Sequence, residues 1–262
     1  FKESVIHGPG HRKSLLIIKI SDINLLFKSD PEGLFIKTGR NYRYFTRKNI
    51  PHDQNINIDC TLSVEEHPST FNIKGKEIFS HAGPWKIYST ETGYEIAFYF
   101  PPSPTDYYMV AELNKDFSRG ILYTKHSRKK TFILSHPLDQ LLIINLLSRG
   151  KGVMVHSCCV NDNGRGFLFA GTSRSGKSTT AKLWLKHTNP PTQHNNPPSS
   201  PFIKGGLEGD FKDMTGVKVL SDDRIIIRQM DKIFYAYGTP WHGELEISDP
   251  GRVEIEKILF LQ

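Results

Sequence analysis

The residues best placed to do chemistry are Gly171-Thr-Ser-Arg-Ser-Gly-Lys-Ser178. They satisfy the G-x-x-x-x-G-K-[ST] pattern in full. Glycines at Gly171 and Gly176 let backbone N–H groups curl around a polyphosphate, and Thr172, Ser173, Arg174 and Ser175 complete the loop. Lys177 would reach the β- and γ-phosphates, Ser178 would hold Mg2+, and Thr179 would extend the amide cradle into the next helix. A glycine-rich turn could match the pattern by coincidence. The flanks argue against that, because Gly166-Phe-Leu-Phe-Ala170 reads as a strand and Thr179-Thr-Ala-Lys-Leu-Trp-Leu185 as an amphipathic helix. The implied ligand is a nucleoside triphosphate with Mg2+.

A second group of chemical residues follows. Asp222 and Asp223 stand after the strand-like Val217-Lys-Val-Leu220. Asp222 lies 222 − 177 = 45 positions beyond Lys177, but the 25 residues 189–213 carry five prolines and three glycines and read as a disordered or loop-like insertion. Without them the separation is 45 − 25 = 20, one helix and one strand. That is where a magnesium-binding acid belongs in a phosphate-loop site. Successive side chains of an extended segment point to opposite sides. One aspartate could therefore face the metal while the other takes a proton from an attacking hydroxyl. The competing reading is a strand-end turn with one aspartate paired to Arg224. His156, on the strand before the loop strand, could contact the γ-phosphate or orient the base. Gly238-Thr-Pro-Trp-His-Gly243 reads either as a rigid turn that packs Trp241 or as a loop at the mouth of the site, with Thr239 or His242 as polar contacts.

The elements that must position these groups are legible in outline. Residues 1–130 are expected to form a β-rich accessory or substrate-recognition domain, with strands such as Leu15–Ile20, Cys60–Val64, Tyr94–Phe100 and Tyr107–Ala111, most simply antiparallel. Residues 131–262 are expected to form the nucleotide-binding domain. It opens with a helix in which Ser135 is the candidate cap, Pro137 lies in the first turn, Leu138, Leu142 and Leu146 share a face, and Gly150 and Gly152 end the element. Val153–Val160 and Arg165–Ala170 are joined through Asn161-Asp-Asn-Gly164, a hairpin signature. The loop strand is thus fed by an antiparallel neighbour rather than by the helical crossover of a parallel sheet. The expected fold class is α/β with a mixed sheet. Val217–Leu220, Ile225–Ile227 and Ile233–Tyr237 are expected to continue it as an antiparallel meander.

Composition narrows the partners. The chain has 262 residues, a net charge of +7 and 37% apolar residues, which suits one or two globular domains. The basic residues are scattered, with one short cluster at Lys125–Lys130, so nucleic acid is not the expected partner. Cys60, Cys158 and Cys159 form no C-x-x-C, so neither a zinc site nor a disulfide framework is expected, and a reducing cytoplasm fits. No apolar run reaches 18 residues and the start lacks a signal-peptide pattern, so no membrane association is expected. His7, His11, His67 and His81 are isolated and read as surface histidines. Phe1 at the start and the strand-like Ile258–Leu261 at the end read as marks of a fragment.

Taken in order, His156-Ser157, the segment Gly164 to Leu183, Leu220-Ser-Asp-Asp-Arg224 and Tyr237-Gly-Thr-Pro-Trp-His-Gly243 resemble the HPr kinase/phosphorylase-like proteins, which share the nucleotide-binding core of phosphoenolpyruvate carboxykinase. The likeness is strongest to the kinase-like proteins of peptide-maturation cassettes of the SynChlorMet type, and it covers roughly residues 136–262. It implies a mixed-sheet core, ATP with Mg2+, and transfer of the γ-phosphoryl to a serine or threonine hydroxyl of a small protein or ribosomally made peptide. It maps the phosphate loop onto Gly171–Ser178 and the catalytic groups onto Lys177, His156, Asp222 and Asp223. It gives the two aspartates the roles of base and metal ligand without saying which is which. The Arg-rich C-terminal signature of true HPr kinases has no counterpart, so neither HPr as substrate nor the reverse reaction is implied. A non-catalytic ATP-gated peptide-binding module and a small-molecule kinase are the alternatives, and homo-oligomer formation is left open.

Overall fold

The computed structural model describes residues 15–29, 35–47, 56–67, 70–80, 83–100, 103, 105–125, 131–134, 136–188 and 216–262. The proposed insertion at 189–213, the candidate cap Ser135, most of the basic cluster at Lys125–Lys130, and His7, His11 and His81 lie outside them. The chain divides into two units, residues 1–146 and 147–262. The division falls at the end of a helix, whereas the sequence placed it at 130/131, before that helix. The described residues are mostly strands, arranged in mixed sheets with few helices. No helix among them is long and apolar enough to cross a membrane.

The first unit holds β1 (Leu15–Ile20), β2 (Ile23–Ser29), β3 (Phe35–Thr38), β4 (Thr46–Arg47), β5 (Cys60–Glu66), β6 (Lys76–Ser80), β7 (Trp85–Ser89), β8 (Gly93–Tyr99), β9 (Tyr107–Asn114), β10 (Arg119–Thr124) and β11 (Thr131–Leu134). Nine of them form one sheet in the order β4-β1-β2-β5-β10-β9-β8-β7-β6, while β3 and β11 pair separately. The sheet is mixed rather than antiparallel, because β5 runs parallel to both β2 and β10. Period-2 alternation marks which face of a strand is buried and carries no information about the direction of its neighbour. Ile18, Ile23, Leu25, Phe27, Ile96, Phe98 and Leu122 are fully buried in this unit. Helix α1 (Leu138–Leu147) has Leu138, Leu142 and Ile143 fully buried, and the buried Tyr42 hydroxyl donates to the buried Asp139 carboxylate at its first turn.

The second unit contains β12 (Val153–Asp162), β13 (Arg165–Gly171), α2 (Lys177–Thr188), β14 (Val217–Ser221), β15 (Arg224–Met230), β16 (Ile233–Tyr237) and β17 (Arg252–Leu261). Its sheet runs β13-β17-β16-β15-β12-β14, and β12 also pairs with β13, so the pairings return on themselves. The β12–β13 hairpin turns through Asn163 (φ 52°) and Gly164 (φ 88°), both left-handed, as a type I′ turn requires. β13 and β17 are parallel, which makes this sheet mixed as well.

One pairing departs from the expected meander. β14 and β15 do not fold against each other. They lie in line along the same edge of β12, with Val153↔Ile227 to His156↔Arg224 at one end and Cys159↔Ser221 to Asp162↔Val217 at the other. The Ser157 N–H donates to Asp223 O at 3.1 Å and carries the ladder across the gap. Asp222 and Asp223 are thus an irregularity inside one long pairing.

Alternation splits the core in two. Cys159, Leu168, Leu220, Ile225, Ala236 and Val253 cluster on one face, and Cys158, Val160, Phe167, Phe169 and Val219 cluster on the other with Ala181 of α2. The vicinal cysteines therefore point to opposite faces, and burial pushes the Cys158 thiol up to about 12. Leu168→Ala is expected to lower the unfolding free energy by about 2–5 kcal/mol through loss of buried contacts and the cavity left behind. Leu183→Ala, on the exposed side of α2, should stay within about 0.5 kcal/mol. Urea titration followed by the fluorescence of Trp184 and Trp241 measures both.

Candidate functional site

β13 leaves the sheet at Gly171, where a side chain is excluded. A Cβ there would stand 2.5 Å from Ser175 Oγ and 2.6 Å from Leu261 O. The chain then loops through Thr172–Gly176, with the Ser175 N–H bonded to Thr172 O at 3.3 Å and left-handed backbone at Arg174 (φ 68°) and Gly176 (φ 92°). α2 starts at Lys177. It is pinned to the sheet by Trp184, whose ring lies 5.2 Å from that of Phe167 and 5.5 Å from that of Phe169. The first-turn N–H groups of a helix have no partner within it and carry its positive end. Those of Lys177, Ser178 and Thr179 belong to that turn, directly after the loop. Within the loop Ser175 Oγ is buried without a hydrogen-bond partner among the described residues.

Lys177 is 6% exposed, and its ammonium donates to Gly171 O at 3.0 Å and Thr172 O at 2.6 Å. The charge is therefore held at the floor of its own loop.

The two aspartates occupy unlike surroundings. Asp222 is 2% exposed, and its carboxylate accepts two backbone N–H groups, Gly243 on Oδ1 at 2.9 Å and Leu245 on Oδ2 at 2.8 Å. Asp223 is half-buried. Its Oδ1 lies 2.8 Å from His156 Nε2 and 2.7 Å from Arg224 Nη1, the latter an ion pair. Its Oδ2 has no partner among the described residues. The arrangement follows from the ladder: His156 and Arg224 are a register pair of β12 and β15, and Asp223 immediately precedes Arg224. The expected ion pair with Arg224 is present, and it coexists with the His156 contact instead of excluding it.

His156 is held below the ordinary histidine range. Burial is the main cause and the nearby Lys177 charge the next, against the opposing pull of Asp223. A neutral imidazole facing a carboxylate through Nε2 donates its one proton there, which leaves Nδ1 as the acceptor.

The Gly238–Gly243 segment folds back on the acidic pair. Thr239 is fully buried and donates to Arg224 O at 2.7 Å, so this side chain braces the strand and is not a contact at the mouth of the site. The Ser221 hydroxyl donates to Trp241 O at 3.4 Å, and Trp241 is buried. His242 is exposed. Gly243 packs so closely that a Cβ would meet Asp222 Oδ2 at 2.8 Å and Asp223 Cβ at 3.2 Å. Sequence reasoning did not find the anchoring of Gly243 and Leu245 by Asp222. A glycine after Trp-His hints at a close approach, but the partner lies 21 residues away.

The structure therefore brings Gly171–Ser178, His156, Asp222 and Asp223 onto neighbouring strands of one unit. Among the described residues no group of three or more His, Cys, Asp or Glu side chains could hold a metal ion. The Ser178 hydroxyl, in the first turn of α2, is the oxygen that suits Mg2+ beside a bound phosphate. No protein-family model matches the chain, and none of the curated proteins compared with it matches.

In an NMR titration His156 should ionise below the ordinary value of 6.5. Lys177→Met should move the midpoint upward by removing a nearby positive charge. The fold binds this proton less tightly than the unfolded chain does. The site's stabilising contribution is therefore present above the ordinary histidine range and fades as pH falls through the lowered pKa.

Proposed function

We propose that the second unit is a nucleotide-binding core of the HPr kinase/phosphorylase type. It binds Mg·ATP and phosphorylates a serine or threonine hydroxyl of a small protein or ribosomally made peptide. The observation that carries this reading is the junction of a complete phosphate loop with a His156–Asp223 pair through one hairpin. β12 presents His156 and β13 delivers Gly171, so base and loop are positioned by adjacent strands.

When bound, Mg·ATP supplies the transferable γ-phosphoryl group, with ADP as the leaving group. The loop amides and the α2 N-terminus bind the phosphates, since oriented N–H groups stabilise the charge without reorganising. Lys177, held now on two loop carbonyls, would supply the positive charge for the phosphates. Ser178 Oγ would hold Mg2+. Asp223 Oδ2 takes the proton of the acceptor hydroxyl, while His156 and Arg224 hold the other oxygen and fix the carboxylate plane. An acidic oxygen that is both oriented and unengaged is the geometry such a base needs.

The test is incubation with γ-labelled ATP and a serine- and threonine-containing peptide library, read by mass spectrometry. Lys177→Ala and Asp223→Asn should each lower transfer by about 100-fold or more, the range general acid–base and electrostatic groups supply. Transfer within about 3-fold of wild type in the lysine variant rejects the reading. Tight Mg·ATP binding with no transfer to any peptide favours a non-catalytic, nucleotide-gated module.

A further inference from the structure

The acidic pair divides its work in a way that adjacency in sequence does not suggest. A metal ligand or base needs an accessible lone pair. Asp222 is 2% exposed, so the lone pairs left over beside the one N–H group that each of its oxygens accepts face the protein interior. The two amides belong to one turn, Trp241–Leu245, and Gly243 of that turn lies against both aspartates. The same turn is tied down by the Ser221 hydroxyl at Trp241 O, and the segment around it by Thr239 at Arg224 O and by the Asp249 N–H at Leu220 O. Every one of these bonds runs to residues 220–224. His242 and Glu244, on either side of Gly243, are exposed.

From this geometry we infer that Asp222 is a positioning residue that carries neither the metal nor the proton. It clamps the Trp241–Leu245 turn against Asp223, and that turn is the wall against which the acceptor hydroxyl is brought to the base. The inference rests on the phosphoryl-transfer reading above and assigns within it a role that the sequence pattern leaves open.

Two variants test it. Asp222→Asn turns an acceptor oxygen into a donor NH2 facing a backbone N–H. Gly243→Ala displaces the turn and leaves both carboxylates chemically intact. Both should raise hydrogen exchange at the Gly243 and Leu245 amides, a readout independent of any ligand. Binding of a fluorescent ATP analogue, and the Mg2+ concentration that half-saturates it, should stay within about 3-fold of wild type in both, because a positioning group contributes little to ground-state binding. Transfer to the peptide library should fall by about 100-fold in both, the order lost when a reacting group drifts by about 1 Å.

An Mg2+ requirement raised about 10-fold or more in Asp222→Asn but not in Gly243→Ala would make Asp222 a metal ligand and overturn the inference. Unchanged transfer in both variants despite faster amide exchange would also overturn it, leaving the clamp purely structural. Failure of the wild-type chain to bind Mg·ATP would reject the underlying reading instead, while the amide exchange would still report whether Asp222 holds the turn.

Discussion

The pairing of β12 is the constraint on which the second unit depends. This one strand carries β13 on one edge and the in-line pair β14 and β15 on the other. The first edge fixes where the loop after Gly171 begins. The second fixes where the acidic pair falls, because the ladder is anchored on both sides of residues 222–223 and a slip by one residue would send every side chain to the opposite face. The two core clusters enforce that register from opposite faces. Cys158 packs toward α2 and Cys159 away from it.

Electrostatics then act on a frame that is already rigid. His156 Nε2 and Arg224 Nη1 both lie against one oxygen of Asp223. A histidine near both a carboxylate and an ammonium feels opposed pulls, and here partial desolvation together with the Lys177 charge outweighs Asp223. Asp222, one residue away, stands apart from this cluster. Its charge is met by two backbone dipoles, which suits a carboxylate kept dry in the interior.

Much of the strand–loop–helix unit was legible in the residues. Asn163-Gly164 marks the hairpin because both positions need left-handed backbone. Gly171 and Gly176 mark the loop, and the apolar run before it marks a buried strand. The direction of β5 and β17 was not legible, since burial patterns look the same in parallel and antiparallel neighbours. The β14–β15 relation was misread for a related reason. Two short apolar runs around Asp-Asp look like a hairpin turn, and only the third strand lying across both shows that they form one interrupted strand.

What the sequence by itself determined is local. The phosphate-loop pattern, its flanking strand and helix, the type I′ turn and the presence of two adjacent carboxylates all follow from residue identity within a few positions. What only the tertiary structure decided is how the carboxylates differ. Both are aspartates in the same short segment, and nothing in their identity separates them. Their surroundings diverge because the backbone bends at 222–223, between β14 and β15, and turns the two side chains to different partners. One side holds His156 from β12, and the other holds a turn that returns from residues 241–245 to offer two amides.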